Sequence, residues 1–126
     1  MNLPSKGQFC WNELATNDVQ RAKEFYSKLL DWEFKEIKSD DMTYTLIRSG
    51  NKECGGIWQI PNDQKANIPP HWMAYILVDN VQKTLEQAKK HGATEVKGVT
   101  QAGDMGHLAI IMDPTGAHIA FWEPNR

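Results

Sequence analysis

The stretch from Phe9 to Leu30, FCWNELATNDVQRAKEFYSKLL, contains an apolar strand-like run followed by a helix-like run. Turn and capping residues at positions 15–18 separate the two runs. In the second run, apolar residues recur at spacings of three and four and form one stripe, with charged residues on the other face. The stretch therefore predicts a strand and then an amphipathic helix, with Phe25 and the nearby Trp32 in the core between helix and sheet.

A second copy of this pattern begins at His71. Residues 72–78 predict a strand, and an apolar stripe at Val81, Leu85 and Ala88 predicts a helix that Gly92 ends. The tetrapeptide NDVQ at residues 17–20 returns in nearly the same form as DNVQ at residues 79–82, an offset of 62 (79 − 17). Two copies at one offset indicate a duplicated module.

Three further strand-like runs follow each predicted helix, and they are separated by turn residues. They cover residues 31–38, 43–48 and 55–60 in the first half, and residues 94–99, 107–112 and 117–123 in the second. The polar, proline-bounded stretch at 61–70 has no periodicity and predicts a connection. The sequence thus predicts one domain over residues 1–126, with module one at 7–60, a linker at 61–70 and module two at 71–124.

Composition narrows the classes of partner. The 126 residues are enough to bury a core without disulfides or structural metals. The 14 Lys and Arg are balanced by 16 Asp and Glu along the chain, so neither nucleic acid nor an anionic membrane is an expected partner. Cys10 and Cys54 lack metal-site spacing and are expected as reduced thiols. No apolar run reaches the roughly 20 residues that span a bilayer, and the expected location is cytoplasmic.

Several phrases carry a family resemblance: FCWNELATNDVQRAKEFYSKLLDW, GGIWQIP and the ending DPTGAHIAFWEP. Together with the two modules they resemble the glyoxalase, bleomycin-resistance and extradiol-dioxygenase superfamily, also called vicinal oxygen chelate (VOC) proteins. The resemblance is closest to a glyoxalase-like branch related to lactoylglutathione lyase. It implies an α+β fold in which two βαβββ modules curl a mixed sheet around a cup, and it implies a homodimer.

The resemblance also implies where metal ligands would lie. In metal-dependent relatives, the first and last strands of each module supply His, Gln or Glu. Here those positions fall on Trp11, Trp58, Met73 and Ala120, none of which is a suitable ligand for a divalent cation of this class. We therefore expect no metal cofactor at the usual positions. A divalent metal at a rebuilt site is the alternative, with donors drawn from Glu13, His71, His107, His118 and Glu123.

Two side chains are candidate catalytic groups. Strand alternation places Glu13 on the face of Trp11 and His118 on the face of Ala120. Glu13 is either a general base or a carboxylate that a neighbouring Trp or Tyr donor satisfies structurally. His118 is either an acid–base partner or an ordinary strand histidine.

Aromatic residues are predicted to line the cup. The predicted ligand-binding set is Trp11, Trp58, Met73, Tyr75, His107, Ala120 and Trp122. The four aromatic members either bind an apolar, planar ligand or simply fill the cavity. The sequence thus predicts a glyoxalase-like protein that binds a small organic molecule, as in the bleomycin-resistance branch. The alternatives are a metal-dependent lyase, isomerase or dioxygenase of the glyoxalase I type, a metal-free enzyme with Glu13 or His118 as base, and a purely structural role.

Overall fold

The computed structural model describes residues 5–39, 42–64 and 67–125. Within them the order strand, helix, three strands occurs twice, which confirms the predicted α+β architecture. The elements of the first module are β1 (Phe9–Thr16), α1 (Val19–Leu30), β2 (Glu33–Ser39), β3 (Met42–Ser49) and β4 (Lys52–Gln59). Those of the second are β5 (His71–Leu77), α2 (Val81–Lys90), β6 (Thr94–Ala102), β7 (Gly106–Met112) and β8 (His118–Pro124). A short 3-10 turn, Asn62–Gln64, follows β4.

The chain forms two compact units. The first unit is residues 11–73, and the second combines residues 5–10 with residues 74–125. In the first unit β3 pairs antiparallel with β2 and β4, and β4 pairs parallel with β1. In the second unit β7 pairs antiparallel with β6 and β8, and β8 pairs parallel with β5.

The core of the first unit lies between α1 and one face of its strands. Leu14, Ile47 and Ile57 are 7%, 1% and 0% exposed, and they supply the sheet side of this core. Val19, Ala22, Tyr26, Trp32 and Phe34 pack against them. Since neighbours on a strand alternate between faces, Trp11 and Glu13 lie on the face opposite α1.

The exposure of Phe25 corrects one prediction. Phe25 is 58% exposed and Leu29 63%, and α1 buries no side chain fully. The line that packs is Val19, Ala22 and Tyr26, at helical spacings of three and four. Phe25 lies on the adjacent line of the helix and meets the ring of Tyr26 edge to face, at a ring-centroid distance of 5.0 Å. The apolar stripe is therefore wider than the surface that the sheet covers.

The core of the second unit lies between α2 and one face of β7 and β8. Its buried members are Val78, Val81, Leu85, Ala109 and Ile111. Ile119 and Phe121 of β8 pack against this cluster, so His118, Ala120 and Trp122 lie on the other face of β8. β6 extends to Ala102, beyond the predicted end at residue 99.

Both helices begin at capped amides, 62 residues apart as the repeat predicts. Asp18 accepts a hydrogen bond from the Arg21 N–H at 3.0 Å, and Asn80 accepts one from the Lys83 N–H at 2.9 Å. A side chain from the last strand of each module accepts a hydrogen bond from the N–H of the first residue of the helix. Gln59 Oε1 accepts from the Val19 N–H at 3.4 Å, and Glu123 Oε1 accepts from the Val81 N–H at 2.8 Å. Neither of the described helices is long and apolar enough to cross a membrane.

Asn80→Ala should lower the free energy of unfolding by about 1 kcal/mol, because the Lys83 amide loses its side-chain acceptor. Equilibrium urea unfolding measures this change. Asn80→Asp keeps an acceptor oxygen and is the matched control, with a change of at most a few tenths of a kcal/mol. Equal losses in the two variants would contradict the capping role.

Candidate functional site

A hydrogen-bonded trio lies on the face of the first unit opposite α1. The indole Nε1–H of Trp11 donates to the hydroxyl oxygen of Tyr44 at 3.0 Å. The hydroxyl of Tyr44 donates to Oε2 of Glu13 at 2.7 Å. The three side chains are each half-buried. The donor and acceptor roles within the trio are fixed, because the indole can only donate and the tyrosine donates its single hydroxyl proton to the carboxylate.

The trio crosses a strand. Trp11 and Glu13 are on β1 and Tyr44 is on β3, and β4 lies between these two strands. Adjacent strands are about 4.8 Å apart, so Tyr44 must reach over roughly 10 Å of sheet. Glycine at position 56 of β4 makes this possible, because a Cβ there would overlap the hydroxyl and ring of Tyr44. Tyr44 therefore occupies the space that a side chain at position 56 would take.

Tyr44 is a functional candidate that the sequence analysis did not single out. Burial, and then the neighbouring Glu13 carboxylate, raise the pKa of Tyr44 above its ordinary value of 10.0, and the Trp11 N–H opposes this shift only partly. The hydroxyl thus keeps its proton at neutral pH and acts as a donor, not as a base. The sequence signal that could have found it is Gly56, because glycine there leaves room for a side chain from a neighbouring strand.

The register corrects which positions are equivalent in the two modules. The relevant Cα partners are Glu13 with Gly56, Ala15 with Trp58, Tyr75 with Ala120 and Leu77 with Trp122. The first strands correspond at an offset of 62, so the equivalent of Ala120 is Gly56, not Trp58. Trp58 corresponds instead to Trp122, at an offset of 64 (122 − 58). The two extra residues lie in the second module between the first and last strands, where an offset read from the helices cannot detect them.

Three predicted residues of the first unit, Trp11, Glu13 and Trp58, share one face. Trp58 pairs with Tyr44 across β3 and β4 and is half-buried. With Trp11, Tyr44 and Glu13 it forms what we call the aromatic face of the first unit. Met73, at the end of this unit, is 7% exposed.

The predicted residues of the second unit divide between two faces. Tyr75 and Ala120 are register partners and are 4% and 0% exposed. Trp122 is half-buried and His118 is exposed, and both lie on the face away from α2. His107 does not join them. Its cross-strand partner is Glu123, which caps α2, so His107 lies on the α2 side of the strands and not on the predicted binding face.

The donors on these faces do not fit the metal site that the resemblance implies. Trp11, Gly56 and Ala120 offer no side-chain lone pair for a divalent cation, and the Glu13 carboxylate accepts a hydrogen bond from the Tyr44 hydroxyl. Among residues 5–39, 42–64 and 67–125, no three His, Cys, Asp or Glu side chains group together as a metal site would require.

Tyr44→Phe should lower the free energy of unfolding at pH 7 by about 1–3 kcal/mol, because the Trp11 N–H and the Glu13 carboxylate lose this partner. Tyr26→Phe is the control, since it removes a longer bond of 3.3 Å from the Trp72 indole and should cost less. Urea unfolding compares the two variants.

The same variant should change the alkaline pH dependence of stability. The folded state holds the Tyr44 proton more tightly than the unfolded state, so this contribution is complete below about pH 10 and declines as the pH rises further. The decline approaches about 1.4 kcal/mol per pH unit. Tyr44→Phe should remove this part of the slope. An unchanged slope would show that Tyr44 ionises as freely in the folded protein as in the unfolded chain.

Gly56→Ala should destabilise the protein by more than Tyr44→Phe, because the new Cβ overlaps the Tyr44 side chain. The double variant Gly56→Ala with Tyr44→Ala removes the overlapping ring and should be less unstable than the sum of its single variants. A double-mutant cycle in urea measures this coupling. Strict additivity would contradict the contact.

Comparison with known proteins identifies the family of this chain. A family model described as the Glyoxalase/Bleomycin resistance protein/Dioxygenase superfamily matches residues 9–121. The chain is 29% identical over 118 residues to the protein named "Putative glyoxylase CFP32" of Mycobacterium tuberculosis, covering 92% of this chain and 45% of that protein. It is 23% identical over 128 residues to "Anthracycline biosynthesis protein DnrV" of Streptomyces peucetius, covering 92% and 46%.

The chain thus spans about half the length of the curated relatives it matches. Among solved structures, methylmalonyl-CoA epimerase from Mycobacterium tuberculosis has the same fold, with a TM-score of 0.66 and 18% identity over 95% of this chain and 89% of that chain. Since the family model extends from β1 into β8, the chain belongs to the Glyoxalase/Bleomycin resistance protein/Dioxygenase superfamily.

Proposed function

We propose that the chain binds a small organic molecule against the aromatic face of the first unit. The observation that carries this proposal is the Trp11–Tyr44–Glu13 trio, which fixes polar groups within a face of indoles. Ligand sites commonly combine apolar, aromatic walls with a few polar groups of fixed orientation. The half-buried indoles of Trp11 and Trp58 supply such walls, and Tyr44 and Glu13 supply the polar groups.

Rigidity supports binding on this face. Trp11 and Tyr44 are anchored by hydrogen bonds, so a ligand that stacks on them orders few additional side chains. The core and α1 lie on the other side of the strands, and a ligand does not have to displace them. In the second unit, Tyr75, Ala120 and Trp122 are the proposed counterparts. Met73, a buried residue of β5 at the end of the first unit, is a further proposed ligand-binding residue.

The relatives guide the choice of ligand class. One is named for anthracycline biosynthesis, and another is named as a glyoxylase. A solved structure of the same fold is a methylmalonyl-CoA epimerase. We include three ligand chemistries in the proposal: a planar polycyclic compound, a glutathione thioester and an acyl-CoA. The homodimer and the cytoplasmic location belong to the same proposal.

A metal-free reaction is the second candidate. The observation that favours it is a half-buried carboxylate, Glu13, set among indoles on the proposed binding face. Glu13 would take a proton from a carbon acid of the ligand, while Tyr44 holds the carboxylate in place. His118 is the other candidate base, but it is exposed, and no geometric observation favours it over an ordinary strand histidine.

Trp58→Ala should weaken the affinity for whichever probe binds by about tenfold, because the ligand loses its contact with one indole. A tenfold change corresponds to about 1.4 kcal/mol of binding free energy. The probes are daunorubicin, S-lactoylglutathione and methylmalonyl-CoA, each titrated by calorimetry in the presence of EDTA. Phe25→Ala is the matched control, since Phe25 is an exposed aromatic on α1 and should leave the affinity unchanged. Equal affinities of Trp58→Ala and the parent protein would place the ligand elsewhere.

Glu13→Gln separates binding from catalysis. If the protein only binds, the variant should retain affinity within a few-fold and no probe should be converted by the parent protein. If Glu13 is a base, turnover of one probe should fall by 100-fold or more while its binding persists. Product analysis of each probe distinguishes these two results.

A further inference from the structure

A second concavity lies in the first unit, on the other side of its strands from the aromatic face. It has a volume of about 400 Å³ and is lined by Asn12, Trp32, Ile47, Cys54, Gly55 and Trp72. Ile47 belongs to the core cluster beneath α1, and Asn12 alternates with Glu13 along β1. We call this concavity the Trp32–Trp72 groove.

Aromatic contacts hold the walls of the groove. Tyr26 stacks on Trp32 at a ring-centroid distance of 5.2 Å and an interplanar angle of 26°. Trp72 meets both rings edge to face, at 5.7 Å from Tyr26 and 6.2 Å from Trp32. The indole N–H of Trp72 also donates to the hydroxyl of Tyr26 at 3.3 Å. Trp72 is thus held in position although it is 42% exposed.

The two indoles make a corner. Their planes are 75° apart, so one ring presents a face where the other presents an edge. Tyr26 covers one side of the Trp32 ring, and the opposite side of that ring is not in contact with Tyr26. A planar aromatic molecule fits such a corner, because offset stacking on one ring and edge contact with the other are both favourable.

One residue of the groove floor is a glycine for a specific reason. A Cβ at Gly55 would lie 2.5 Å from the backbone carbonyl oxygen of Asn12, so the close approach of β1 and β4 requires glycine there. Ile47, 1% exposed, completes the floor. None of the six lining residues carries a formal charge, so the groove offers no partner for an ion, whereas the Asn12 amide offers both a donor and an acceptor.

We propose that the Trp32–Trp72 groove is a second binding site, for a neutral, planar aromatic molecule with one hydroxyl or carbonyl group. The rings of the molecule stack in the corner of the two indoles, and its polar group bonds to the Asn12 side chain. The volume lies within the 300–1,000 Å³ typical of small-molecule sites. Because the walls are already ordered by Tyr26, binding requires little rearrangement. This site is independent of the function proposed above.

The test uses 2-naphthol as the probe and the indole N–H signals of the five tryptophans in a ¹⁵N–¹H NMR titration of the intact chain. Trp32→Phe and Trp72→Phe assign the two relevant signals. Saturable shifts confined to Trp32 and Trp72 are expected. Shifts confined to Trp11, Trp58 or Trp122, non-saturable shifts of all five signals, or no shifts would each overturn the proposal.

Two variants complete the test. Trp72→Ala should weaken the affinity for 2-naphthol at least about fivefold, since one wall of the corner is lost. Leu29→Ala, an exposed apolar residue of α1 outside the groove, is the control and should leave the affinity unchanged. If Trp72→Ala does not fold, Asn12→Ala replaces it. Asn12→Ala should weaken the affinity for 2-naphthol but not the affinity for naphthalene. An equal effect on both affinities, or an effect on neither, would contradict the assigned contact.

Discussion

The aromatic face of the first unit depends on the hydroxyl of Tyr44. This hydroxyl receives a hydrogen bond from Trp11, donates one to Glu13, and spans β4 to do so. A sheet normally joins neighbouring strands through backbone bonds, whereas this contact joins two strands that are not neighbours. The length of a tyrosine side chain and the absence of a Cβ at Gly56 are both required. The residues at positions 13, 44 and 56 therefore depend on one another structurally.

This contact also sets the chemical character of the face. Because burial and Glu13 raise the pKa of Tyr44, the phenol stays protonated and the bond runs in one direction only. A face with fixed donors and acceptors selects ligands by shape and hydrogen-bond pattern. The opposite side of the same strands is different in kind. There the indoles of Trp32 and Trp72 are positioned by ring contacts, and the lining residues carry no charge. One small sheet thus presents two aromatic surfaces of unlike polarity.

The sequence was informative wherever a local pattern determines structure. The repeat at an offset of 62 placed both helix starts, and Asp18 and Asn80 act as the caps that their residue types indicate. Strand alternation placed Trp11 and Glu13 on one face. One alternative considered for Glu13, a carboxylate satisfied by a Tyr donor, describes its contact with Tyr44.

Other features depend on distances along the chain that no local pattern encodes. The equivalence of Gly56 with Ala120 follows from strand register, which a two-residue difference between modules changes without any trace in the helices. Phe25 carries the same helical periodicity as Tyr26, and only the width of the sheet decides which of the two is covered. The face on which His107 lies follows only from its pairing with Glu123 on β8. The sequence analysis missed Tyr44 because its position depends on the space left by the missing Cβ of Gly56, which lies on another strand.

The glycine at position 56 also limits how the site can change. By register it is the module-one counterpart of Ala120, the last-strand position where metal-dependent relatives are expected to carry a ligand. Any donor side chain placed there must begin with a Cβ, and that atom would occupy the space of Tyr44. A metal ligand at this position and the Trp11–Tyr44–Glu13 bridge are therefore mutually exclusive. Converting one form into the other therefore takes at least two substitutions, one that removes the Tyr44 side chain and one that places a donor at position 56.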